Sequence, residues 1–215
     1  GYIDQELIEV NSKQINISDI NSFAKIKNIY LHSSLFHRLS QILFSNQSDI
    51  IHTKNIKKSY DSFYELVESE ELHISDFYQY QIDSINLLLE HDIIKIDFNG
   101  EIKIDDIEKL IVLEELYNNG VLIYPHLSIR MKRVIDSLLN QNHLTYDNKL
   151  FSKMEQDYFN FYMNSKFSNG YNLRNRYIHS SSSVSEDKNI EDYYKILKLM
   201  IFIVVKINDD MTLNS

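Results

Sequence analysis

An arginine and a histidine five residues apart, Arg174 and His179, are the residues of this chain best suited to chemistry on a phosphate. A guanidinium can bind two phosphate oxygens at once and stabilise the charge that grows in a transition state. A histidine titrates near neutral pH and can transfer protons. Asn175 can donate to a phosphate oxygen or fix the tautomer of the histidine. Together they predict a site that binds a phosphate group and transfers a proton beside it.

The spacing of this pair also predicts a partner. Residues five apart on a straight α-helix lie about 140° around the axis from one another. Arg174 and His179 therefore reach one phosphate only if the backbone bends or a second subunit contributes. Arg176 and Tyr177 are candidate RNA-binding residues, Arg176 through a phosphate. The plainer alternative is a surface helix on which Arg174 caps or pairs with an acid, His179 is merely exposed and Tyr177 packs.

The string Leu-Arg-Asn-Arg-Tyr-Ile-His, residues 173–179, resembles the HEPN superfamily in its common form Leu-Arg-Asn-x-x-x-His. The resemblance covers about the last 110 residues, from about Asp105. It implies a bundle of four or five helices that usually dimerises, with two facing motif copies forming one composite, metal-independent ribonuclease site. It also implies a role in bacterial defence or stress, as an antiviral effector or toxin that cuts phage or host RNA.

Composition narrows the classes of protein. Hydrophobic residues make up 43% and aromatic residues 12%, which favours a folded chain. The absence of Cys excludes disulfide scaffolds and Cys-ligated zinc, and it favours a reducing, cytoplasmic location. A net charge of −9 disfavours non-specific DNA binding. No cofactor motif, signal peptide or membrane span is evident. Because the chain starts with Gly1 rather than Met, we expect it to be tagged or trimmed from a longer protein, whose other domains would precede Gly1.

The elements that must position the motif are mostly helices, since the chain has only four Gly and one Pro. Periodic apolar residues predict helices over roughly 19–45, 55–69, 75–90, 105–117, 126–140, 152–164 and 189–207. Asn99-Gly100 between alternating isoleucines predicts a β-hairpin. The expected fold is mainly α, a helical bundle with one small β-hairpin. No internal repeat is visible at periods of 20 to 50 residues.

Two domains are expected. A helical N-terminal region, 1–104, would carry a winged-helix-like helix and hairpin at about 75–104, and 105–215 would form the HEPN-like domain. The first hypothesis is a metal-independent endoribonuclease that binds RNA as a homodimer and needs no cofactor or metal. The second is a non-catalytic HEPN-like module that binds nucleotide, RNA or a partner protein. The third is a winged-helix regulator, which the acidic helix over 75–90 disfavours.

Overall fold

The computed structural model describes residues 16–179 and 185–213, without the side chains of Ile178 and His179. In these ranges the fold is mainly α with a small β-hairpin, as the sequence predicts. The eight α-helices are α1 Ser34–Phe44, α2 Phe63–Ser69, α3 Ile82–Glu90, α4 Ile107–Asn119, α5 Ile129–Asn140, α6 Lys153–Met163, α7 Leu173–His179 and α8 Glu186–Thr212. The five strands are β1 Asn28–Leu31, β2 Ile94–Ile96, β3 Ile102–Ile104, β4 Leu122–Ile123 and β5 Leu144–Asp147. Within the described ranges, every helix is too short or too polar to cross a membrane.

The chain forms two compact units, and the first is discontinuous. It combines the described parts of Gly1–Lys27 and Asp147–Ser215, while Asn28–Tyr146 forms the second. The boundary predicted between 104 and 105 falls inside the second unit, between β3 and α4. The reason is the three-stranded sheet, in which β1 lies between β4 and β5 and so ties the start of the unit to its end.

Local signals account for most helix starts. Ser33, Ser62, Ser128 and Ser152 each accept a hydrogen bond from a backbone N–H of the first turn, and so does Asp106 at the start of α4. Helix α4 ends at Gly120, whose φ of 67° lies in the left-handed region. These caps show why serines and an acid placed before apolar runs are reliable markers of helix boundaries here.

The hairpin is confirmed: β2 pairs with β3 in the register Ile94↔Ile104, and Gly100 supplies a φ of 81° in the turn. The helix expected over 75–90 begins only at Ile82, after two 3-10 turns. The single helix expected over 19–45 is wrong, because residues 28–31 form β1 and α1 starts at Ser34. Ile29 and Tyr30 are buried in that strand, where a β-branched and an aromatic side chain fit a sheet.

The second unit contains a structural repeat with an offset of 50 residues, so the expectation of no internal repeat is wrong. Short 3-10 turns occur at Ile74–Asp76 and Tyr124–His126. The left-handed residues Asp92, with φ 53°, and Asn142, with φ 63°, follow α3 and α5. Four backbone hydrogen bonds of the first repeat recur 50 residues later with the same donor and acceptor positions. In the first repeat the N–H groups of Glu70, Phe77, Asp92 and Ile93 donate to the carbonyls of Leu66, Ile74, Leu89 and Leu88, respectively. In the second repeat the N–H groups of Gly120, Leu127, Asn142 and His143 donate to the carbonyls of Leu116, Tyr124, Leu139 and Leu138.

The repeat also extends to the buried side chains. Leu66, Leu72, Ile85 and Leu88 are identical to the residues 50 positions later, and all eight side chains are buried, the second four being Leu116, Leu122, Ile135 and Leu138. The sheets differ in one respect. In the first repeat the strand beside β2 is β3, which follows it in sequence, whereas in the second repeat β1 lies beside β5 and comes from before both repeats.

Candidate active site

The motif residues lie on α7, a seven-residue helix in the first unit. The turn before it is tightly built. The N–H of Tyr171 donates to the carbonyl of Phe161 at 2.8 Å. A Cβ placed on Gly170 would lie 2.6 Å from that carbonyl oxygen, so only glycine fits there. Asn172 has a φ of 49°, and Leu173 is buried. The start of α7 is therefore fixed by packing rather than by helix propensity.

Arg176 and Tyr177 both contact Asp192 on α8. The guanidinium of Arg176 forms an ion pair with this carboxylate, and it also donates to the carbonyl of Tyr171 at 3.1 Å. The hydroxyl of Tyr177 lies 3.1 Å from an Asp192 oxygen and 2.9 Å from Asn189. The Asp192 side chain is only 1% exposed. These contacts hold α7 against the first turns of α8.

Lys195 completes the surroundings of Asp192. Its Nζ lies 3.1 Å from the second carboxylate oxygen and 4.3 Å from the centre of the Tyr171 ring. Burial, the largest single effect, raises the pKa of Asp192, but hydrogen bonds from Lys195, Arg176 and Tyr177 outweigh it and hold the pKa below its usual range. The hydrogen bond to Asp192 raises the pKa of Lys195 in turn. Asp192 is thus ionised and fully paired at neutral pH.

Arg174 has a different environment. It is exposed, and it lines a cavity of about 360 Å³ whose apolar wall comes from Phe159 on α6 and from Leu199 and Ile203 on α8. Polar groups of the same cavity belong to Asn16, Ser18, Asn160 and Asn164. Arg174 is thus a predicted site residue that lines a cavity.

His179 is the last residue of α7, and its side chain lies outside the described residues. The backbone of α7 is helical from Leu173 to His179, so Arg174 and His179 lie about 140° apart around its axis. Asn175, which is half-buried, lies four residues before His179 and therefore within about 40° of it. The helix thus places Asn175 and His179 on one face and Arg174 on another.

Asp192, Lys195 and Tyr171 were missed by sequence reasoning, although α8 carried a signal. Its buried positions include Asp192, Leu199 and Asp210, which share one face of the helix. An acid on an otherwise buried face usually has a cationic partner. Applied to α8, that rule would have indicated that Asp192 pairs with the basic motif.

A separate polar cavity of about 380 Å³ lies in the second unit, lined by His91, Lys109, Arg133 and His143 among others. His143 stacks on Phe36, with ring centres 4.1 Å apart, and its Nδ1 lies 3.2 Å from the hydroxyl of Ser33. Burial and the positive charge of His91 and Lys109 lower the pKa of His143. His143 is therefore neutral near pH 7 and acts as part of the packing.

Within the described residues, no three His, Asp or Glu side chains are grouped so that they could hold a metal ion. Comparison of the chain with protein-family models, with curated proteins and with solved structures gave no match. Functional assignment therefore depends on the motif and on the geometry around α7.

Proposed function

We propose that this protein is a metal-independent endoribonuclease that works as a homodimer, through a composite site built from Arg174, Asn175 and His179. The observation that supports this proposal most is that the side chains of α7 have different surroundings. Arg176 and Tyr177 are held by Asp192, while Arg174 is exposed at the rim of a cavity. A helix braced in this way can present a guanidinium to a substrate without moving, which is what electrostatic stabilisation of a transition state requires.

In the proposed reaction the 2′-hydroxyl of the RNA attacks the adjacent phosphorus and the 5′-oxygen leaves. His179 moves the proton, either from the 2′-hydroxyl or to the leaving oxygen. Arg174 binds the non-bridging oxygens as negative charge grows on them. Asn175, on the same face of α7 as His179, orients the imidazole or donates to the phosphate. The products are a 2′,3′-cyclic phosphate and a 5′-hydroxyl.

The proposed roles of Arg176 and Tyr177 are positional. An RNA contact by these two side chains stays a prediction, but the contacts with Asp192 already occupy both polar ends. Their effect on cleavage would pass through the position of α7. By analogy with HEPN-type proteins, the substrate would be phage or host RNA in bacterial defence or stress.

A composite site follows from the same helix. Because Arg174 and His179 lie on different faces of an unbroken helix, one copy does not bring both side chains to one phosphate. In a homodimer, Arg174 of one subunit and His179 of the other supply the pair. Each site then needs both chains, and a monomer is inactive.

The test is RNA cleavage by the purified protein, with the 3′ ends of the products identified by mass spectrometry. Arg174→Ala and His179→Ala abolish cleavage, whereas Arg130→Ala, which removes an exposed arginine of the second unit, leaves it unchanged. Excess EDTA has no effect on the wild type. Cleavage retained by both motif variants, or 3′-hydroxyl products, rejects the proposed reaction.

Mixing the two inactive variants tests the composite site separately. In a mixed dimer, the Arg174→Ala chain keeps its His179 and the His179→Ala chain keeps its Arg174, so one complete pair forms across the interface. Activity returns on mixing if the pair is shared between subunits. If Arg174 and His179 of the same chain act together, the mixture stays inactive, because neither variant chain has both residues.

A further inference from the structure

Two tyrosines just before α3, in the second unit, form an exposed aromatic stack. The rings of Tyr78 and Tyr80 lie nearly parallel, with an interplanar angle of 12° and centroids 5.7 Å apart. Tyr78 is 43% exposed and Tyr80 is 66% exposed, so much of each side chain stays open to solvent. An exposed aromatic ring that is held in place is a surface on which a nucleobase can stack.

Hydrogen bonds fix the backbone beneath this stack. The N–H of Tyr78 donates to the side-chain oxygen of Gln81 at 2.7 Å, and Gln81 is fully buried. The amide nitrogen of Gln81 donates in turn to the carbonyls of His52, at 2.7 Å, and Asp49. The stack is therefore attached to the segment between α1 and α2. Because this backbone is already ordered, less entropy is lost when a ligand binds.

The same segment carries a local positive charge in a chain whose net charge is −9. Residues 50–60 contain three lysines, Lys54, Lys57 and Lys58, and no acid, and all three lysines are exposed. Nζ of Lys54 lies 5.8 Å from the centre of the Tyr78 ring and donates to the carbonyl of Ser75 at 2.9 Å. The lysines therefore place positive charge beside the aromatic stack.

The acids closest to the stack in sequence leave this charge available. Both carboxylate oxygens of Asp76 accept hydrogen bonds, from the N–H of His73 at 2.9 Å and from the amide of Asn55 at 3.0 Å. Asp83 is exposed in the first turn of α3, where it repels phosphate. A bound strand is thus favoured when its phosphates lie beside Lys54 rather than along α3.

We propose that Tyr78, Tyr80, Lys54, Lys57 and Lys58 form a docking site for an unpaired stretch of RNA. We call these five residues the tyrosine platform. Stacking on aromatic rings accepts any base, and lysines neutralise the phosphates, which is the combination found in proteins that bind single strands. A protein partner would need a wider apolar patch than two rings set among lysines. The choice of RNA over DNA rests on the proposed function, because neither stacking nor phosphate contact reads the 2′-hydroxyl.

The second repeat shows that the fold does not need the two tyrosines. The residues 50 positions after Tyr78 and Tyr80 are Ser128 and Arg130. Ser128 caps α5 through its side chain, and the equivalent turn forms there without an aromatic pair. The exposed rings of the first repeat are therefore available for binding rather than required for folding.

Fluorescence anisotropy with a short labelled oligonucleotide tests the platform. A 2′-O-methylated oligouridine about twelve nucleotides long spans a single-strand site. It lacks the 2′-hydroxyl that the proposed reaction needs, so the wild-type protein can be used. We expect it to bind more weakly as the salt concentration rises, and single-stranded DNA of equal length to bind with similar affinity. An RNA duplex should bind at least about tenfold more weakly, because its bases are already stacked. No binding of the single strands, or equal binding of the duplex, overturns the proposal.

Substitutions of Tyr80 test the stacking. Tyr80→Ala should weaken binding at least about fivefold, whereas Tyr80→Phe keeps the ring and should bind like the wild type. Phe98→Ala is the control, since it removes an aromatic side chain that is 96% exposed in the hairpin of the same unit. Circular dichroism shows whether each variant is folded. A folded Tyr80→Ala protein that binds like the wild type, or an equal loss in Phe98→Ala, rejects the platform.

The salt dependence of binding tests the lysines. Replacing Lys54, Lys57 and Lys58 together by Gln should reduce the slope of log Kd against log salt by about 2, because each phosphate contact of a single strand contributes about 0.7. Lys95→Gln, which removes a half-exposed lysine of β2, should leave the slope unchanged. An unchanged slope in the triple variant would place the phosphates elsewhere and overturn the proposal.

These measurements separate the platform from the proposed reaction. Single-strand binding that depends on Tyr80, in a protein that cleaves no RNA, leaves the platform standing and rejects the ribonuclease. Cleavage that needs Arg174 but has the same KM in the Tyr80→Ala protein rejects the platform and leaves the ribonuclease standing. A Tyr80→Ala protein whose KM for RNA rises more than its kcat changes supports both.

Discussion

The guanidinium of Arg176 and the carboxylate of Asp192 form an ion pair in which the acid is only 1% exposed. This pair joins α7 to α8, and Tyr177 and Lys195 bind the same carboxylate. Two arginines of the motif, two residues apart, therefore have different surroundings: Arg176 forms this buried ion pair, and Arg174 lines a cavity. Stability and activity should separate between them.

Substituting each arginine by alanine tests this separation. Arg176→Ala leaves Asp192 with less compensation for its burial, so we expect the free energy of unfolding to fall by about 2–4 kcal/mol. Arg174→Ala alters an exposed side chain, so we expect a smaller loss of stability, about 1 kcal/mol or less. Urea denaturation followed by circular dichroism measures both. Equal losses of stability would show that Asp192 does not depend on Arg176.

Removing the charge of Asp192 tests how much its contacts with Arg176, Tyr177 and Lys195 stabilise the protein. Because the pKa of Asp192 is lower in the folded protein than in the unfolded chain, its ionised form adds stability above about pH 4, and that contribution is lost as the pH falls through the folded pKa. Asp192→Asn should be less stable than the wild type at pH 7, and the difference should shrink toward pH 3. Melting temperatures from pH 7 to pH 3 show this. A constant difference would contradict it.

Gly170→Ala should destabilise the turn that leads into the motif. The added methyl group would lie 2.6 Å from the carbonyl oxygen of Phe161, so the backbone must shift. We expect the free energy of unfolding to fall by about 1–3 kcal/mol, because α7 would move with the turn. Gly100→Ala is the matched control for steric contact, since its methyl group meets nothing within 4 Å, although its φ of +81° carries a strain of its own. A Gly170→Ala protein as stable as the wild type would mean that the turn adapts.

His143 should make the second unit sensitive to mild acid. Its pKa is lowered in the folded protein, so below about pH 6.5 the unfolded chain binds more protons than the folded one, and stability falls as the pH drops. His143→Gln removes this contribution. The melting temperature of the variant should therefore fall less than that of the wild type between pH 7 and pH 5. Parallel curves for the two proteins would exclude His143 as the source.

The repeat predicts equal responses at equivalent positions. Asp92 and Asn142 both have positive φ, a conformation that costs a β-branched residue about 1–2 kcal/mol. Asp92→Val and Asn142→Val should each lower the free energy of unfolding by that amount. Asn140→Val, in the last turn of α5 before Asn142, serves as a control that keeps ordinary helical backbone. A large effect at one position alone would mean that the two turns are not equivalent.

Sequence reasoning succeeded where the signal was local. The hairpin followed from Asn99-Gly100, because two residues suffice to specify that turn. Strand β1 was missed because its partners, β4 and β5, lie about 90 to 115 residues further along the chain. The repeat was missed because only scattered core residues are identical at the offset of 50. The equivalence lies in backbone conformation at positions such as Asp92 and Asn142, which composition does not reveal.

The candidate site shows the same limit. The motif and its spacing could be read directly, and the helical angle between Arg174 and His179 could be calculated from spacing alone. The different surroundings of Arg174 and Arg176 could not be predicted from the sequence. They depend on Asp192, which lies sixteen residues after Arg176 and on another helix. A motif specifies which side chains are present, and tertiary contacts decide which of them remain accessible.

The pairing of Lys27 with Asp210 has a consequence for the order of folding during synthesis. Nζ of Lys27 lies 2.8 Å from the carboxylate, both groups are buried, and 183 residues separate them. Asn28–Tyr146, in contrast, is one continuous stretch that can fold as soon as it leaves the ribosome. Residues 16–27 must wait until Asp210 has emerged. The unit that carries the motif is therefore completed after Asn28–Tyr146, because its first stretch of chain is held by a residue made 183 positions later.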